Sequence, residues 1–130
     1  MNHRLLVDTN IVIWLLSASS RISRRARHAL SRSTTDVVVS TASVWEIVLK
    51  NRAGKLEFET GLEDVLDEVL YRSPWTVLPV ISEHLLALAT LPPIHKDPFD
   101  RMLVAQALHE NLTIVTTDED IAKYAVPTLW

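Results

Sequence analysis

Pro98-Phe99-Asp100-Arg101-Met102-Leu103-Val104-Ala105-Gln106-Ala107-Leu108-His109-Glu110-Asn111-Leu112-Thr113-Ile114-Val115-Thr116 decides the fold. It carries two periods in succession. Leu103, Val104 and Ala107 recur at helical spacing, with Asp100 on the same stripe, and Asp97-Pro98 opens the run with a capping residue followed by proline at the first helical position. Leu112 to Thr116 is then a short β-branched run of the kind that forms a buried strand. Working outward, Leu5-Leu6-Val7 reads as a first strand ending at Asp8, and Val37-Val38-Val39 as a second. Trp75 to Val80 reads as a third strand that Pro79 keeps short or at an edge, and Leu129-Trp130 forms a last strand or packs on the core. Helices are expected over Ile11–Leu16 with Thr9 or Asn10 as cap, Arg21–Arg32, and from Ser40–Ser43 to about Arg52, where Gly54 stops the chain. Further helices are expected over Leu62–Tyr71 and from Ser82 or Glu83 to the residue before Pro92-Pro93. Strands alternating with amphipathic helices predict the α/β class, a three-layer α/β/α sandwich around a central, mostly parallel sheet. No linker interrupts the pattern, so residues 1–130 are expected to form a single domain.

Composition narrows the function. The apolar fraction of 48% and charged fraction of 22% are those of an ordinary globular chain, which argues against disorder. The absence of cysteine excludes disulfide frameworks, zinc ribbons and thiol catalysis. Apolar runs fall far short of the ~20 residues a bilayer requires. Met1-Asn2-His3-Arg4 leads into the first strand with no signal-peptide core, so a cytoplasmic protein with no membrane partner is expected. A net charge of -3 excludes a global basic field. The charge is nevertheless segregated. Arg21, Arg24, Arg25, Arg27 and Arg32 lie in a stretch without acids, and this segment is expected to flank a phosphate site. Glu57, Glu59, Glu63, Asp64, Asp67 and Glu68 lie in a stretch without bases.

Open parallel sheets build their sites at the carboxyl ends of strands, where the next helices begin. Asp8, Glu46, Asp100 and Asp118 all map to that edge. Glu46 shares a stripe with Ala42, Leu49 and Ala53, as Asp100 does with Leu103, Val104 and Ala107. A carboxylate on a core-facing stripe needs a partner, and no Arg or Lys partner is obvious. A divalent cation resolves the repulsion, and an oxygen-only set points to Mg²⁺ or Mn²⁺. Taken singly, each acid also fits a helix cap, with Ser43-Val44-Trp45-Glu46 as a capping box. Four caps would not explain acids on apolar stripes. The five histidines share no ligand spacing, the four tryptophans read as core or interface residues, and there is neither a glycine-rich phosphate loop nor a nucleophile elbow.

Leu6-Val7-Asp8-Thr9-Asn10, Ser43-Val44-Trp45-Glu46-Ile47, His95-Lys96-Asp97-Pro98-Phe99-Asp100-Arg101-Met102-Leu103 with Ala105-Gln106-Ala107, and Thr116-Thr117-Asp118 resemble, in that order, the PIN-domain nucleases. More narrowly, the chain resembles the VapC-like toxins of type II toxin–antitoxin pairs, from about Leu5 to Trp130. The resemblance implies a Mg²⁺-dependent endoribonuclease that acts on RNA, is restrained by a cognate antitoxin and forms a homodimer. It implies Asp8, Glu46, Asp100 and Asp118 as the acidic site, with the metal on Asp8 and Asp100. Asp97 in place of Asp100, Asp120 in place of Asp118, and one or two metal ions remain open. Two rivals stand beside it. A phosphoacceptor signalling domain would want a second acid at the first strand's end and a late lysine; a non-catalytic interaction module would use the acids only as caps.

Overall fold

The computed structural model describes residues 3–130. The reading of Met1 and Asn2 lies outside the described residues. Five strands form one sheet: β1 (His3–Val7), β2 (Thr35–Ser40), β3 (Thr76–Leu78), β4 (Thr113–Val115) and β5 (Thr128–Leu129). Every pairing is parallel, in the order β3-β2-β1-β4-β5. β1 is central, with Val7 opposite Val39 on one side and Val115 on the other. The helices are α1 (Thr9–Leu16), α2 (Arg24–Ser31), α3 (Thr41–Arg52), α4 (Leu62–Asp67), α5 (Ser82–Ala89) and α6 (Pro98–Glu110).

The alternation of strand side chains makes the sheet two-sided. Leu5, Val7, Val39 and Val115 face a core completed by Ile11 and Val12 of α1, Ala26 of α2, Ile47 of α3 and Val65 of α4. Leu6, Val38 and Ile114 face the opposite core, against Leu103, Val104 and Ala107 of α6. α5 packs outside α6, through Ala87 and Leu88 against Met102 and Ala105. Burial on both faces is why the strands read as continuous apolar runs. The α/β/α sandwich is therefore as expected, and β3 sits at an edge. Among the described residues no helix is long and apolar enough to cross a membrane.

Several helix boundaries differ from expectation, each for a local reason. Asp8 itself caps α1, its Oδ1 accepting from the Ile11 amide at 3.0 Å, so Thr9 and Asn10 are already helical. Ser40 caps α3 through the Ala42 amide; Ser43 to Glu46 thus lie inside the helix and form no capping box. α3 ends in a Schellman turn, Lys55 N donating to Lys50 O (2.9 Å) and Gly54 N to Asn51 O (3.0 Å), with Gly54 at φ +73. The stretch expected as one helix to Tyr71 is α4 followed by a π turn over Glu68–Arg72.

The arginine segment is also displaced from its expected place. α2 starts at Arg24, capped by Ser23, and Arg27 donates to the Ser19 carbonyl just beyond α1. Arg21 lies over the Trp14 ring, 5.9 Å from its centroid. α1 starts at Asp8 and, at about 1.5 Å per residue, carries the chain roughly 12 Å before these arginines begin. They sit past the end of α1 remote from the sheet's carboxyl edge. They do not flank the acids.

Candidate active site at the carboxyl edge of the sheet

Asp8 is the best-held of the four acids. Its amide donates to Val115 O at 3.1 Å, which continues the β1–β4 ladder by one residue. Its Oδ2 accepts from the Thr116 hydroxyl, and that same hydroxyl accepts from the Asp118 amide at 2.9 Å. Asp8 is buried, and both oxygens have their direction set by backbone or by a buried threonine. Thr9 Oγ1 donates to Ser43 Oγ at 3.0 Å, joining the first turns of α1 and α3.

α3 brings in Glu46, also buried. One of its oxygens, Oε2, lies 3.0 Å from Lys50 Nζ; the other, Oε1, is buried without a hydrogen-bond partner. The expectation that the acids lack a lysine is thereby corrected. Lys50 sits one helical turn after Glu46, the spacing of a helical ion pair, so the signal was present in the sequence. The stripe used to place Glu46 holds only in part, because Leu49 is 46% exposed and Ala53 is exposed too.

α6 separates Asp97 from Asp100. Asp97 Oδ1 accepts from the Phe99 amide (2.8 Å) and the Asp100 amide (3.1 Å), a helix cap. Asp100, three residues on, shares its stripe with the buried Leu103, Val104 and Ala107, as expected. At the end of β4, Asp118 Oδ1 accepts from the Asp120 amide at 2.8 Å, whereas Asp120 pairs with Lys123 at 2.9 Å. A cavity of about 240 Å³ is lined by Asp8, Glu46, Asp100 and Asp118, together with Asp97, Lys50, Thr9, Asn10 and Thr117. All four acids named from the sequence thus converge. Asp97 reaches the cavity with its cap already committed, and Asp120 does not line it.

His95 was discounted from the sequence and proves to be central. Its Nε2 lies 2.8 Å from Asp118 Oδ2 and 3.2 Å from Asp100 Oδ2. Its only sequence signal was nearness to Asp97 and Asp100; the turn that folds it back on Asp118 has no period to read. Trp45, read as core or interface, lies at the surface: it is 61% exposed, and its ring meets Phe99 edge-on at 5.1 Å between centroids.

The electrostatics are those of crowded acids. Burial raises the Asp8 pKa, and the charges of Asp118 and Glu46 add to this, against the hydrogen bonds from Thr116 and Ile11. Asp100 is pushed up to about 7 by burial first, then by Asp97, with Asp8 and Glu46 adding and His95 opposing. Burial acts to raise Asp118 as well, but the hydrogen bonds from His95 and the Asp120 amide outweigh it and hold Asp118 low. For His95 burial acts downward, and the hydrogen bond to Asp118 with the charges of Asp100, Asp118 and Asp97 carries it up. Four carboxylates, an orphaned buried oxygen on Glu46 and an Asp100 that resists ionisation fit a hard divalent cation with oxygen ligands.

One prediction separates the two α6 acids. Asp97→Ala removes the cap and should lower stability by about 1 kcal/mol, whereas Asp97→Ser should keep most of it. Both should let the Asp100 pKa fall below about 7, because the Asp97 charge is removed. Urea denaturation and carboxyl-carbon NMR of Asp100 check the two effects separately.

The PIN domain family profile matches residues 5–127. None of the curated proteins matches the chain significantly in sequence. Among solved structures, a chain of VapBC2 from Rickettsia felis, bound to a DNA fragment from their promoter, superposes with a TM-score of 0.71 at 14% identity, covering 97% of each chain. A chain of VapBC-5 from Mycobacterium tuberculosis, a member of the VapBC family of toxin-antitoxin systems, gives 0.61 at 16% identity, over 97% of this chain and 95% of that one. The PIN domain endonuclease Utp24 gives 0.54 at 16% identity, over 97% and 83%. These structures share the fold, and a family profile that matches nearly the whole length means that this chain belongs to the PIN domain family.

Proposed function

We propose that this protein is a Mg²⁺-dependent endoribonuclease, with Mn²⁺ able to substitute, and the toxin of a VapC-like toxin–antitoxin pair. In this reading residues 1–130 act as one nuclease domain in the cytoplasm. The observation that carries it is the convergence of Asp8, Glu46, Asp100 and Asp118 on one cavity. The names of the similar structures support it, one a toxin–antitoxin system and one an endonuclease.

Asp8 and Asp100 would hold the metal, which when bound neutralises charge on a phosphate oxygen and lowers the pKa of a water. The protein's own groups do the rest. Thr116 and the Ile11 amide pre-set the Asp8 carboxylate, so little reorganisation remains when charge develops. Glu46 lines the cavity, where its carboxylate would orient the attacking water, while Lys50 fixes its Oε2. Lys50, Asn10 and Thr117 supply donors to phosphate oxygens at a mouth that is otherwise negative.

Partners follow from the surface. A groove of about 760 Å³ has an apolar floor of Ile13, Leu16, Phe58 and Val65 and an acidic wall of Glu57, Glu59, Asp64 and Glu68. Arg72 beside it is occupied by Asp67 (3.1 Å) and Glu68 (3.3 Å). The groove fits an antitoxin segment with apolar residues flanked by Lys or Arg. The resemblance implies a homodimer, but α1 offers it little, since Trp14 packs on Trp130 at 5.9 Å within the chain. The exposed Leu85 and Leu86 of α5 are the better support for a dimer, which light scattering at micromolar concentration would detect.

Single-stranded RNA incubated with the purified protein should be cut in Mg²⁺, spared in EDTA and cut again when Mn²⁺ is added, while DNA of the same sequence stays intact. Cleavage that persists in EDTA, or none in either metal, would remove the proposal.

A further inference from the structure

We propose that His95 is a positioning residue and not a metal ligand: its Nε2–H holds Asp118 in place beside Asp100, so that the cage facing the metal is built from oxygen alone. This rests on the cavity being a metal site. At face value the opposite holds. His95, Asp100 and Asp118 offer one nitrogen and two oxygens within 4.8 Å of one another, the kind of set that suits Zn²⁺ or another transition metal.

The far side of the ring decides between them. His95 Nδ1 lies 3.0 Å from the backbone amide of Asp97, and an amide can only donate. Nδ1 must therefore present its lone pair, which leaves the proton of the neutral ring on Nε2. A nitrogen that carries a proton cannot bind a metal. That proton is donated to Asp118 Oδ2 at 2.8 Å, and Asp100 Oδ2 lies 3.2 Å from the same nitrogen, close in charge but outside hydrogen-bond geometry.

Exchanging the proton to Nδ1 would oppose two N–H groups across that contact. The loop resists the movement needed to avoid this. The His95 amide donates to the Tyr124 hydroxyl at 2.8 Å, and Arg101 Nη1 holds both that hydroxyl (3.2 Å) and the Pro92 carbonyl (3.0 Å). Tyr124 itself is buried in the α6 core. Without this donor, Asp118 would be held only from its Oδ1 side, by the Asp120 and Ile121 amides, with Asp100 repelling it.

Wild-type protein, His95→Ala and His95→Gln are titrated with Mn²⁺, read by the electron paramagnetic resonance of the free ion, and with Zn²⁺ in competition. Loss of an outer partner of a metal site typically weakens binding roughly 10- to 100-fold, and that loss is expected for His95→Ala. Gln can place an amide N–H where Nε2–H stands, so His95→Gln should recover most of the affinity. The ratio of Zn²⁺ to Mn²⁺ affinity should be the same in all three. In the wild-type protein, nitrogen NMR should show Nε2 protonated both without metal and with saturating Mg²⁺, a readout that no variant's folding can obscure. Loss of the Nε2 proton on Mg²⁺ addition, a Zn²⁺ preference that collapses in both variants, or unchanged Mn²⁺ affinity in His95→Ala would overturn the positioning role. No Mn²⁺ binding by the wild-type protein would instead remove the metal site on which it rests.

Discussion

Asp8→Asn and Asp100→Asn are each expected to reduce Mg²⁺-dependent RNA cleavage by roughly a thousandfold or more, since loss of a ligand forfeits several kcal/mol of transition-state stabilisation. The fold should survive both changes. Asn at position 8 keeps an oxygen for the Ile11 amide, and its NH₂ can donate to Thr116 where Oδ2 now accepts. Asn at position 100 removes a carboxylate that burial and Asp97 already disfavour, so the metal-free variant should be more stable than the parent. The pairing of lost cleavage with retained or raised melting temperature is what distinguishes a metal ligand from a structural cap. A drop in melting temperature in both variants would favour the cap.

The second large effect is the pH dependence of the metal-free protein. Asp100 is pushed up to about 7 in the folded chain from an ordinary 3.8, and Asp8 is raised as well. Between those values the folded state binds more protons than the unfolded state, so stability falls as pH rises. Asp118 is lowered; its contribution is present above 3.8 and is lost only in stronger acid. In EDTA the protein should therefore be most stable near pH 5 and lose on the order of 2 kcal/mol by pH 8, with solvent screening at the open mouth holding the figure down. Mg²⁺ at a hundred times its dissociation constant should restore about 2.7 kcal/mol at the alkaline end. Asp100→Asn should flatten the profile. Melting curves across pH, with and without metal, test all three statements, and a metal-free protein that grows more stable from pH 5 to 8 would contradict them.

Why some of this was legible in sequence and some was not follows from particular residues. β1, β2 and β4 are covered on both faces, so Leu5-Leu6-Val7, Val37-Val38-Val39 and Thr113-Ile114-Val115 could hardly be anything but strands. The acids followed because a parallel sheet sends every strand end to one edge, which fixes the neighbourhood of Asp8, Glu46, Asp100 and Asp118 without any knowledge of side-chain geometry. Cap positions were less legible: Asp8, Ser40 and Ser23 take them from neighbours of equal chemical merit, and small differences in chain direction decide. Lys50 was legible by its spacing from Glu46 and was passed over. His95 was not, because its role depends on a loop pinned by Tyr124 from far along the chain. The arginines of α2 show the opposite error. Their nearness in sequence to Asp8 suggested nearness in space, but α1 intervenes and carries them away.

Calorimetric titration of Mn²⁺ into the wild-type protein, repeated in buffers of different ionisation enthalpy, tests the metal site most directly. Binding should release close to one proton at about pH 6, where Asp100 still holds it, and almost none at about pH 8.5. Asp8→Asn and Asp100→Asn should each weaken binding severely, and Asp100→Asn should also abolish the proton release. Mn²⁺ that fails to bind, or that binds both variants as tightly as the parent, would contradict the assignment of these carboxylates as a metal centre.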